Sequence, residues 1–311
     1  MEGLTVVIPT YNSSSALNRC LDSINRQTHP CEAVIVVDRF SLDRTPQIAK
    51  AHRARLIQSH SNRSAARNLG AQASNSSGVL FVDSDMILFP TLVEECSRLL
   101  LDHDSLVVPE ASVGRGFWAS CKRLERDTYL GNDLIEAPRC YRRKPFLAIG
   151  GYDENLEAGE DWELRQRSTR MRFKLGRTQS MLLHDEGEYS PSMAFRRKYA
   201  YGRTIRRYMQ RNPSATLKQV NPLIRVLDPS VRIMSKDIPH GLGVLILRAV
   251  EFAGAGIGLL TGEPNISKGT LQTNNSQRFE AMSKSAIGWA TQHSWDNAAK
   301  AFDQVIESVI S

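Results

Sequence analysis

Short hydrophobic runs rich in β-branched residues recur through the first hundred residues, and each ends at a polar or turn residue. These runs are 4–8, 33–37, 55–57 and 79–82. Segment 16–26 between them carries apolar residues at 17, 20, 21 and 24, the stripe of an amphipathic helix. Strands that alternate with helices predict a parallel sheet wound by right-handed crossovers. The expected fold class is therefore α/β, with a Rossmann-like, mostly parallel sheet flanked by helices.

The second half of the chain continues with further strands and longer helices. Strands are predicted at 106–109, 146–152 and 181–184, and helices at 114–129 and 195–211. The apolar segment 242–260 carries Arg248 and Glu251 three residues apart, so they share one narrow polar stripe. Such a helix fits a membrane interface, or burial against the α/β domain, better than a membrane span.

These patterns divide the chain into four regions. An α/β domain over 1–215 is followed by a basic and apolar helical segment over 216–264, which is a candidate for membrane-interface contact. The stretch 265–277 is rich in Gly, Asn, Ser and Thr and predicts a linker. Apolar residues at 298, 302, 305, 306 and 309 predict a terminal helix within 278–311.

Asp83 and Asp85 follow the apolar run 79–82, which is predicted to be a strand buried on both faces. In open α/β sheets ligands sit at the carboxyl ends of strands, and residues i and i+2 of an extended segment face the same way. A hard cation such as Mg²⁺ or Mn²⁺ relieves the repulsion between two such carboxylates and usually binds phosphate oxygens as well. The alternative is a strand end with two solvated acids.

Polar residues after the first two strands predict a nucleotide site on the same rim. Asn12 and Asp38 follow these strands, and Asp38 can accept a hydrogen bond from a base or a ribose, or cap a helix instead. Arg63 and Arg67 are spaced i, i+4 on a predicted helix and can meet phosphates, unless they form a solvated basic face.

Glu160 and Asp161 begin a predicted helix, preceded by Gly159 and followed by Trp162. Acids in a first turn are favoured by the helix dipole, which one acid alone would satisfy. Two acids there suggest a general base on a rigid element. His184 ends the predicted strand 181–184 and is a candidate metal ligand beside Asp85, or a structural histidine.

The net charge of +7 comes mostly from helix 195–211, which has seven basic residues and no acid. This helix predicts an anionic partner, namely pyrophosphate, lipid phosphate or an acidic membrane surface. Nucleic acid is not expected, because no recognised nucleic-acid motif accompanies the patch. Five cysteines without C-x-x-C spacing indicate a reducing compartment without structural zinc, and no signal peptide is expected. The expected location is cytoplasmic, or peripheral on the cytoplasmic face of a membrane.

Five motifs, taken in order, resemble an inverting family 2 glycosyltransferase with the GT-A fold. They are Val7-Ile8-Pro9-Thr10-Tyr11-Asn12, Ala66-Arg67-Asn68-Leu69-Gly70, Val82-Asp83-Ser84-Asp85, Gly159-Glu160-Asp161-Trp162, and His184 with Arg196-Arg197-Lys198-Tyr199. The resemblance covers about residues 4–210. The segment from Val37-Asp38 to Thr45 also resembles the family's second-strand loop, but it has Asp38-Arg39-Phe40-Ser41 where the family often has Asp-Asp-Gly-Ser. Separately, residues 289–310 are similar to the last helix of GT-B family 4 glycosyltransferases.

The resemblance implies metal-dependent transfer of a sugar, with inversion, from a UDP- or GDP-sugar to a hydroxyl of a glycan or lipid-linked acceptor. Its implied nucleotide-binding residues are Pro9, Thr10, Tyr11, Asn12, Asp38, Arg63, Arg67 and Asp83. Asp85, helped by Asp83 and His184, would hold Mn²⁺ or Mg²⁺. Asp161 would be the base, with Glu160 orienting it. Arg196, Arg197 and Lys198 would contact phosphate or acceptor.

Three alternatives stay open from the sequence. A polyprenyl-phosphate sugar synthase would use a phosphate as the acceptor and would need less help from a base. A non-catalytic, nucleotide-binding GT-A homologue would bind a nucleoside diphosphate without turnover. A nucleotidyltransferase would also use carboxylates and a metal, but it would release pyrophosphate from a nucleoside triphosphate.

Overall fold

The computed structural model describes residues 1–133, 135–212, 216, 219 and 237–261. The predicted linker at 265–277 and the predicted terminal helix at 278–311, with its resemblance to a GT-B helix, lie outside the described residues. Of the predicted segment 216–264, the structure describes residues 216, 219 and 237–261.

A seven-stranded sheet in the order β3-β2-β1-β4-β8-β6-β9 forms the centre of the molecule. Its strands are β1 (Leu4–Thr10), β2 (Ala33–Asp38), β3 (Arg55–Gln58), β4 (Gly78–Phe81), β6 (Ser105–Val107), β8 (Pro138–Arg142) and β9 (Leu175–Arg177). The strands from β3 to β4 are parallel, whereas β8 runs antiparallel to both of its neighbours. Since β1 and β4 are central neighbours, the turns at their carboxyl ends lie side by side.

A second sheet of three strands covers that carboxyl edge, in the order β5-β10-β7. Its strands are β5 (Met86–Leu88), β7 (Glu110–Arg115) and β10 (Leu182–Glu188). His184 of β10 pairs with Met86 of β5, the residue after Asp85. The antiparallel register of β5 and β10 therefore brings His184 to the end of the Asp-x-Asp segment.

Nine helices flank these sheets in the described residues. They are α1 (Ser14–Asn25), α2 (Thr45–Ala51), α3 (Arg63–Ala73), α4 (Leu92–Leu99), α5 (Phe117–Asp127), α6 (Arg143–Ala148), α7 (Glu160–Arg170), α8 (Pro191–Arg211) and α9 (Ile238–Thr261).

The core lies on both faces of the large sheet, as the continuous apolar runs predict. Alternate residues of β1 point to opposite faces, so Val6 and Ile8 join one buried cluster and Val7 joins another with Phe81. Gly70 of α3 lies against Val7, where a Cβ would come within 2.2 Å of a methyl carbon. This close approach fixes α3, and with it Arg67, over the end of β1.

Helix α9 packs along α8 through glycines. A Cβ at Gly258 would lie 2.1 Å from the carbonyl oxygen of Tyr199, and one at Gly254 would lie 2.6 Å from that of Phe195. On α8, Gly202 faces the carbonyl oxygen of Ala255 in the same manner, at 2.2 Å. The two backbones touch directly, so α9 is held closely against the α/β domain.

The charges of α9 point inwards. Arg248 and Glu251 are 4% and 5% exposed. Arg248 pairs with Glu125 at 3.0 Å, and Glu251 pairs with Lys122 at 2.6 Å. Of the two settings that the sequence allows for this segment, the structure shows packing against the domain. By length and composition alone, α9 is also long and apolar enough to cross a membrane.

The predicted α/β class with a mostly parallel sheet is confirmed, but two local expectations differ. The sequence predicts a strand at 146–152, whereas the structure shows α6 (Arg143–Ala148) followed by Gly150 and Gly151 at positive φ. A short apolar run does not by itself distinguish a strand from a buried helix. Strand β8 is not predicted, because Pro138-Arg139-Cys140-Tyr141-Arg142 has little apolar signal.

Substitution of two glycines of α9 tests its packing on α8. Gly258→Ala is expected to lower the free energy of unfolding by about 1–3 kcal/mol, because its methyl group collides with backbone. Gly256 has open space around it, so Gly256→Ala is expected to be neutral or stabilising by up to about 1 kcal/mol. Thermal unfolding of the two variants measures the difference. Equal melting temperatures would contradict the packing.

Candidate active site

A cavity of about 870 Å³ opens at the carboxyl ends of β1 and β4 and extends to α7, α8 and α9. It brings together twelve of the predicted site residues: Pro9, Thr10, Tyr11, Arg63, Arg67, Asp83, Asp85, Glu160, Asp161, His184, Arg197 and Lys198. Asn12, Asp38 and Arg196 do not line its wall. The sequence motifs thus meet in one place although they are up to 189 residues apart in the chain (from Pro9 to Lys198).

Asn12 and Asp38 connect the loop that follows β1 to the loop that follows β2, at one end of the cavity. The Asn12 side-chain oxygen accepts from the backbone N–H of Leu42 at 3.0 Å, and the Asn12 backbone N–H donates to Ser41 at 2.8 Å. Asp38 is fully buried, and its carboxylate accepts from Thr10 and from the backbone of Ser41. The structure therefore gives both residues a positioning role for the loops.

Tyr11 and Arg39 present side chains at this end of the cavity. The Tyr11 ring is 57% exposed, and the guanidinium of Arg39 lies 5.7 Å from its centroid. An exposed aromatic ring can stack on a flat ligand, and a cation beside the ring can attract the negative charge of that ligand.

Arg67 is a buried guanidinium that bridges two acids. It is 3% exposed, and it donates to Asp83 at 2.6 Å and to Glu160 at 3.2 Å. Arg63 reaches the same oxygen of Glu160 at 2.7 Å. Both arginines lie at the cavity as the sequence predicts, and both are already paired with carboxylates there.

Asp83 is held by arginines from two sides. Its second oxygen lies 3.4 Å from Arg139, which also pairs with Glu110. Burial alone would raise the pKa of Asp83, but the charges of Arg67 and Arg139 outweigh it and hold that pKa well below its ordinary value. Asp83 is therefore ionised, and both of its oxygens are paired with arginine side chains.

Asp85 and His184 lie side by side at the cavity wall. The ring Nε2 of His184 is 3.1 Å from Asp85, and its Nδ1 is 3.0 Å from Glu186. Burial lowers the pKa of His184, but the hydrogen bonds and charges of these two acids raise it to about 9. The imidazole is therefore protonated at neutral pH and donates to Asp85.

Whether Asp85 and His184 can hold a metal ion depends on the ligand atoms that their side chains offer. Among residues 1–133, 135–212 and 237–261, no group of three or more His, Cys, Asp and Glu side chains is arranged to hold a metal ion. Mg²⁺ and Mn²⁺ are often held by only one or two protein carboxylates, with phosphate oxygens completing the shell. Asp85, with His184 after loss of its proton, fits such an open site, whereas the arginine-paired Asp83 does not.

Asp161 differs from the other acids of the cavity. Burial and the neighbouring charge of Glu160 raise its pKa to about 6, against the opposing effect of a hydrogen bond from its neighbour's backbone N–H. It is the second residue of α7, after Gly159, whose φ of 75° suits glycine. A carboxylate titrating near neutral pH at a cavity wall is suited to general-base chemistry.

The sequence did not predict a group of five charged residues that line the cavity. Glu110, Lys122, Glu125, Arg126 and Arg139 all line the cavity and form ion pairs there. The sequence around each of these residues predicts that its side chain lies on a solvated surface of a helix or strand. The only available signal is the pair Arg248 and Glu251 within an apolar helix, which demands buried partners of opposite charge.

The predicted phosphate or acceptor residues are divided between the cavity and the surface. Arg197 pairs with Glu186 at 2.7 Å, and Lys198 lies 3.8 Å from Glu251, so both belong to the wall. Arg196 lies on the exposed side of α8. Apolar side chains of α8 and α9 also line the cavity, namely Ile205, Met209, Phe252, Ala255 and Leu259.

Comparison with known sequences gives a family match and partial relatives. Residues 5–204 match the family model described as Glycosyl transferase family 2. The O-antigen chain rhamnosyltransferase WbaN of Salmonella anatum is 26% identical over 226 residues, covering 65% of this chain and 72% of WbaN. The uncharacterized glycosyltransferase YibD of Escherichia coli is 32% identical over 107 residues, which span 32% of this chain and only 31% of YibD.

Solved structures show the same fold at low sequence identity. Residues 1–349 of TarS from S. aureus superpose with a TM-score of 0.52 at 20% identity, covering 82% of this chain and 83% of that one. The mannosyltransferase PcManGT from Pyrobaculum calidifontis, solved with GDP-Man and Mn²⁺, gives a TM-score of 0.51 at 16% identity, covering 99% and 86%.

The raised pKa of Asp161 predicts how its replacement changes stability with pH. Between the ordinary aspartate pKa of 3.8 and about 6, the folded protein keeps a proton on Asp161 that the unfolded chain has lost, so stability falls as pH rises through that range. Asp161→Asn removes this penalty. Its melting temperature, relative to wild type, is expected to be higher at pH 7.5 than at pH 4.

Asp153→Asn is the matched control with the opposite sign. Asp153 is desolvated, but hydrogen bonds from Asn155 and the charge of Arg211 lower its pKa. Its ionised form stabilises the fold at pH 7.5, so this variant is expected to melt lower than wild type there and to approach it in acid. The same pH trend in both variants would refute the assignment for Asp161.

Proposed function

This chain belongs to glycosyl transferase family 2, and on that premise we propose that it transfers a sugar, with inversion, from a nucleotide-sugar donor to an acceptor hydroxyl, with Asp161 as the base. The observation that carries the proposal is the cavity itself. It places a carboxylate with a pKa of about 6 in the same space as the Asp85–His184 pair. The nucleotide-sugar class is supported by the GDP-Man bound to PcManGT.

The donor is assigned to the end of the cavity near Tyr11. The ring of Tyr11 would stack on the nucleotide base, and the Arg39 guanidinium beside it would meet the anionic part of the donor. Asn12 and Asp38 keep the two loops in place through the hydrogen bonds described above. The base and the sugar of the donor are set by these loops, where the chain departs from the Asp-Asp-Gly-Ser pattern.

Mn²⁺ or Mg²⁺ is assigned to Asp85 and His184. When bound, the cation would supply positive charge to the leaving nucleoside diphosphate. His184 must release its proton to become a ligand, and binding therefore competes with protonation. The Mn²⁺ in PcManGT supports the use of a divalent cation, and Asp85 and His184 offer suitable ligand atoms for one.

Asp161 takes the proton from the acceptor hydroxyl as that oxygen attacks the anomeric carbon. Its pKa of about 6 leaves it mostly ionised at neutral pH, yet basic enough to accept a proton. Glu160 points to Arg63 and Arg67 instead, so it acts as a positioning residue that fixes the first turn of α7.

The acceptor is assigned to the α8–α9 end, beyond Asp161. WbaN and RfbN, the O-antigen chain rhamnosyltransferases of Salmonella, support a glycan acceptor in the synthesis of a cell-surface polysaccharide. The apolar residues of that wall favour a glycan linked to a lipid. A polyprenyl phosphate as the direct acceptor is the competing assignment, favoured by Arg197 and Lys198, and it would tolerate loss of the base.

Replacement of Asp161 tests the base. Asp161→Asn is expected to lower the rate of sugar transfer by about 10²–10⁴ while binding of UDP or GDP stays within about twofold. At saturating Mn²⁺, the wild-type transfer rate is expected to rise about tenfold per pH unit below about 6 and to level above it. Nucleoside diphosphate release from a panel of UDP- and GDP-sugars, with acceptor present, measures the transfer rate, and calorimetric titration with UDP and GDP measures binding.

The control for this experiment is Asp127→Asn, an exposed acid of α5 outside the cavity wall. It is expected to leave transfer unchanged. If Asp161→Asn retains wild-type turnover and the product is the sugar attached to a lipid phosphate, the hydroxyl-acceptor assignment is wrong and the chain is a polyprenyl-phosphate sugar synthase. If UDP and GDP bind but no donor is turned over, the chain is a binding protein.

Removal of the cation tests Asp85. Chelation is expected to abolish nucleoside diphosphate release, and added Mn²⁺ is expected to restore it in wild type but not in Asp85→Ala. Electron paramagnetic resonance of Mn²⁺ gives binding directly, without reference to activity. Asp185→Ala, which removes an acid paired with Arg19 outside the cavity, serves as the control. Equal Mn²⁺ affinity in both variants would rule out Asp85 as the ligand.

A further inference from the structure

Helix α9 has the reverse of the usual pattern of a surface helix. Its charged residues Arg248 and Glu251 are buried, while its outward positions carry no charge. The exposed residues of α9 are Ile238, Pro239, Leu242, Ala249, Ala253, Gly256 and Leu260. A helix that meets water normally places polar residues there, so this face is suited to an apolar surrounding.

The exposed residues form one continuous strip. Leu242, Ala249, Ala253 and Leu260 are spaced by seven, four and seven residues, which places them on the same side of a helix. Leu242 is 48% exposed and Leu260 is 63% exposed, one near each end of the strip. We call these residues, together with Gly256, the α9 strip. It runs most of the length of a 24-residue helix.

The cavity meets the α9 strip at Gly256. This residue is exposed, has open space where a Cβ would be, and also lines the cavity. Its cavity-lining neighbours Phe252 and Leu259 are partly exposed. The acceptor end of the cavity therefore opens beside the strip, and one wall of that opening is apolar.

Cations lie next to the helix contact. Arg196, Arg203 and Arg207 of α8 are spaced by seven and four residues and share one face. The backbone N–H of Arg203 lies beside Gly258 of α9. Neither Arg203 nor Arg207 forms an ion pair with any residue in the described part of the chain, and α8 contains no acid. An apolar strip beside a basic helix face matches the headgroup region of an anionic membrane.

We propose that the α9 strip lies in the interface of an anionic lipid membrane, with the basic face of α8 on the headgroups, so that the acceptor end of the cavity opens at the membrane surface. The helix lies on the membrane and does not cross it. Crossing would require breaking the pairs of Arg248 with Glu125 and of Glu251 with Lys122, and exposing these charges to lipid.

For the acceptor this inference rests on the proposed function, and it names the substrate class more closely. A lipid-linked acceptor would remain in the membrane and present its headgroup hydroxyl to Asp161 through the opening at Gly256. The apolar wall of Phe252 and Leu259 would contact the first part of the lipid. The cytoplasmic leaflet carries the anionic lipids that such a surface needs.

Vesicle flotation with the full chain tests the proposal. The probes are vesicles of phosphatidylcholine with and without phosphatidylglycerol. Wild type is expected to float with the anionic vesicles and to be released by high salt. Leu242→Glu with Leu260→Glu is expected to lower the partition coefficient at least about tenfold, because two apolar side chains leave the interface. Arg203→Gln and Arg207→Gln are each expected to lower it about fivefold.

A matched control pair carries the same charges elsewhere. Leu101→Glu with Leu175→Glu changes two leucines that are 50% and 41% exposed, away from α9. This variant is expected to float like wild type. All variants are expected to keep the wild-type melting temperature, because the replaced side chains lie at the surface.

Two results would overturn the proposal. If wild type stays in solution with both types of vesicle, the α9 strip does not bind an anionic membrane. Equal flotation of the α9 double variant and the control variant would show that another surface binds lipid. In either case, size-exclusion chromatography distinguishes a second copy as the occupant, because the α9 double variant alone would then become monomeric. Nucleoside diphosphate release in solution is measured separately, so its loss with intact flotation would affect only the proposed function.

Discussion

The buried guanidinium of Arg67 is the interaction on which the rest of the site depends. It joins Asp83, at the end of the central strand β4, to Glu160, at the start of α7, although these acids come from separate parts of the chain. Leaving any one of the three groups unpaired in this setting would strongly destabilise the fold. The distance between the two halves of the cavity is therefore fixed by a charged contact, which is directional, and the apolar core alone would not fix it.

This contact also assigns different chemistry to neighbouring acids. Asp83 and Glu160 are paired with arginines. Asp161, one residue further along α7, receives the repulsion of Glu160, and within the described residues no ion pair with an arginine is seen for it. Burial and the charge of Glu160 raise the pKa of Asp161, so its partners and its burial set its basicity. Asp85 and Asp83 also differ in their partners, because Asp85 lies beside His184 whereas Asp83 is paired with Arg67. Each acid has a role that its position in the motif does not reveal.

Local sequence pattern predicts only those features that depend on neighbours in the chain. Buried runs indicate the strands from β1 to β4, and the motifs at 83–85 and 160–161 indicate the acids at the cavity. Contacts between distant parts of the chain leave no such signal. The pairing of Arg139 with Asp83, the inward turn of Asp38 and the contact of Lys122 with Glu251 arise only when strands and helices are assembled. The helix at 143–148 is missed because its apolar run suits a strand equally well.

The family match ends at residue 204, whereas the wall of the cavity continues onto α9 between residues 248 and 259. The end of the cavity proposed for the donor therefore lies within the family match, and the end proposed for the acceptor is partly formed by residues outside it. On the proposed assignment, a change confined to α9 would alter the acceptor end of the cavity and leave the acids that follow β4 in place.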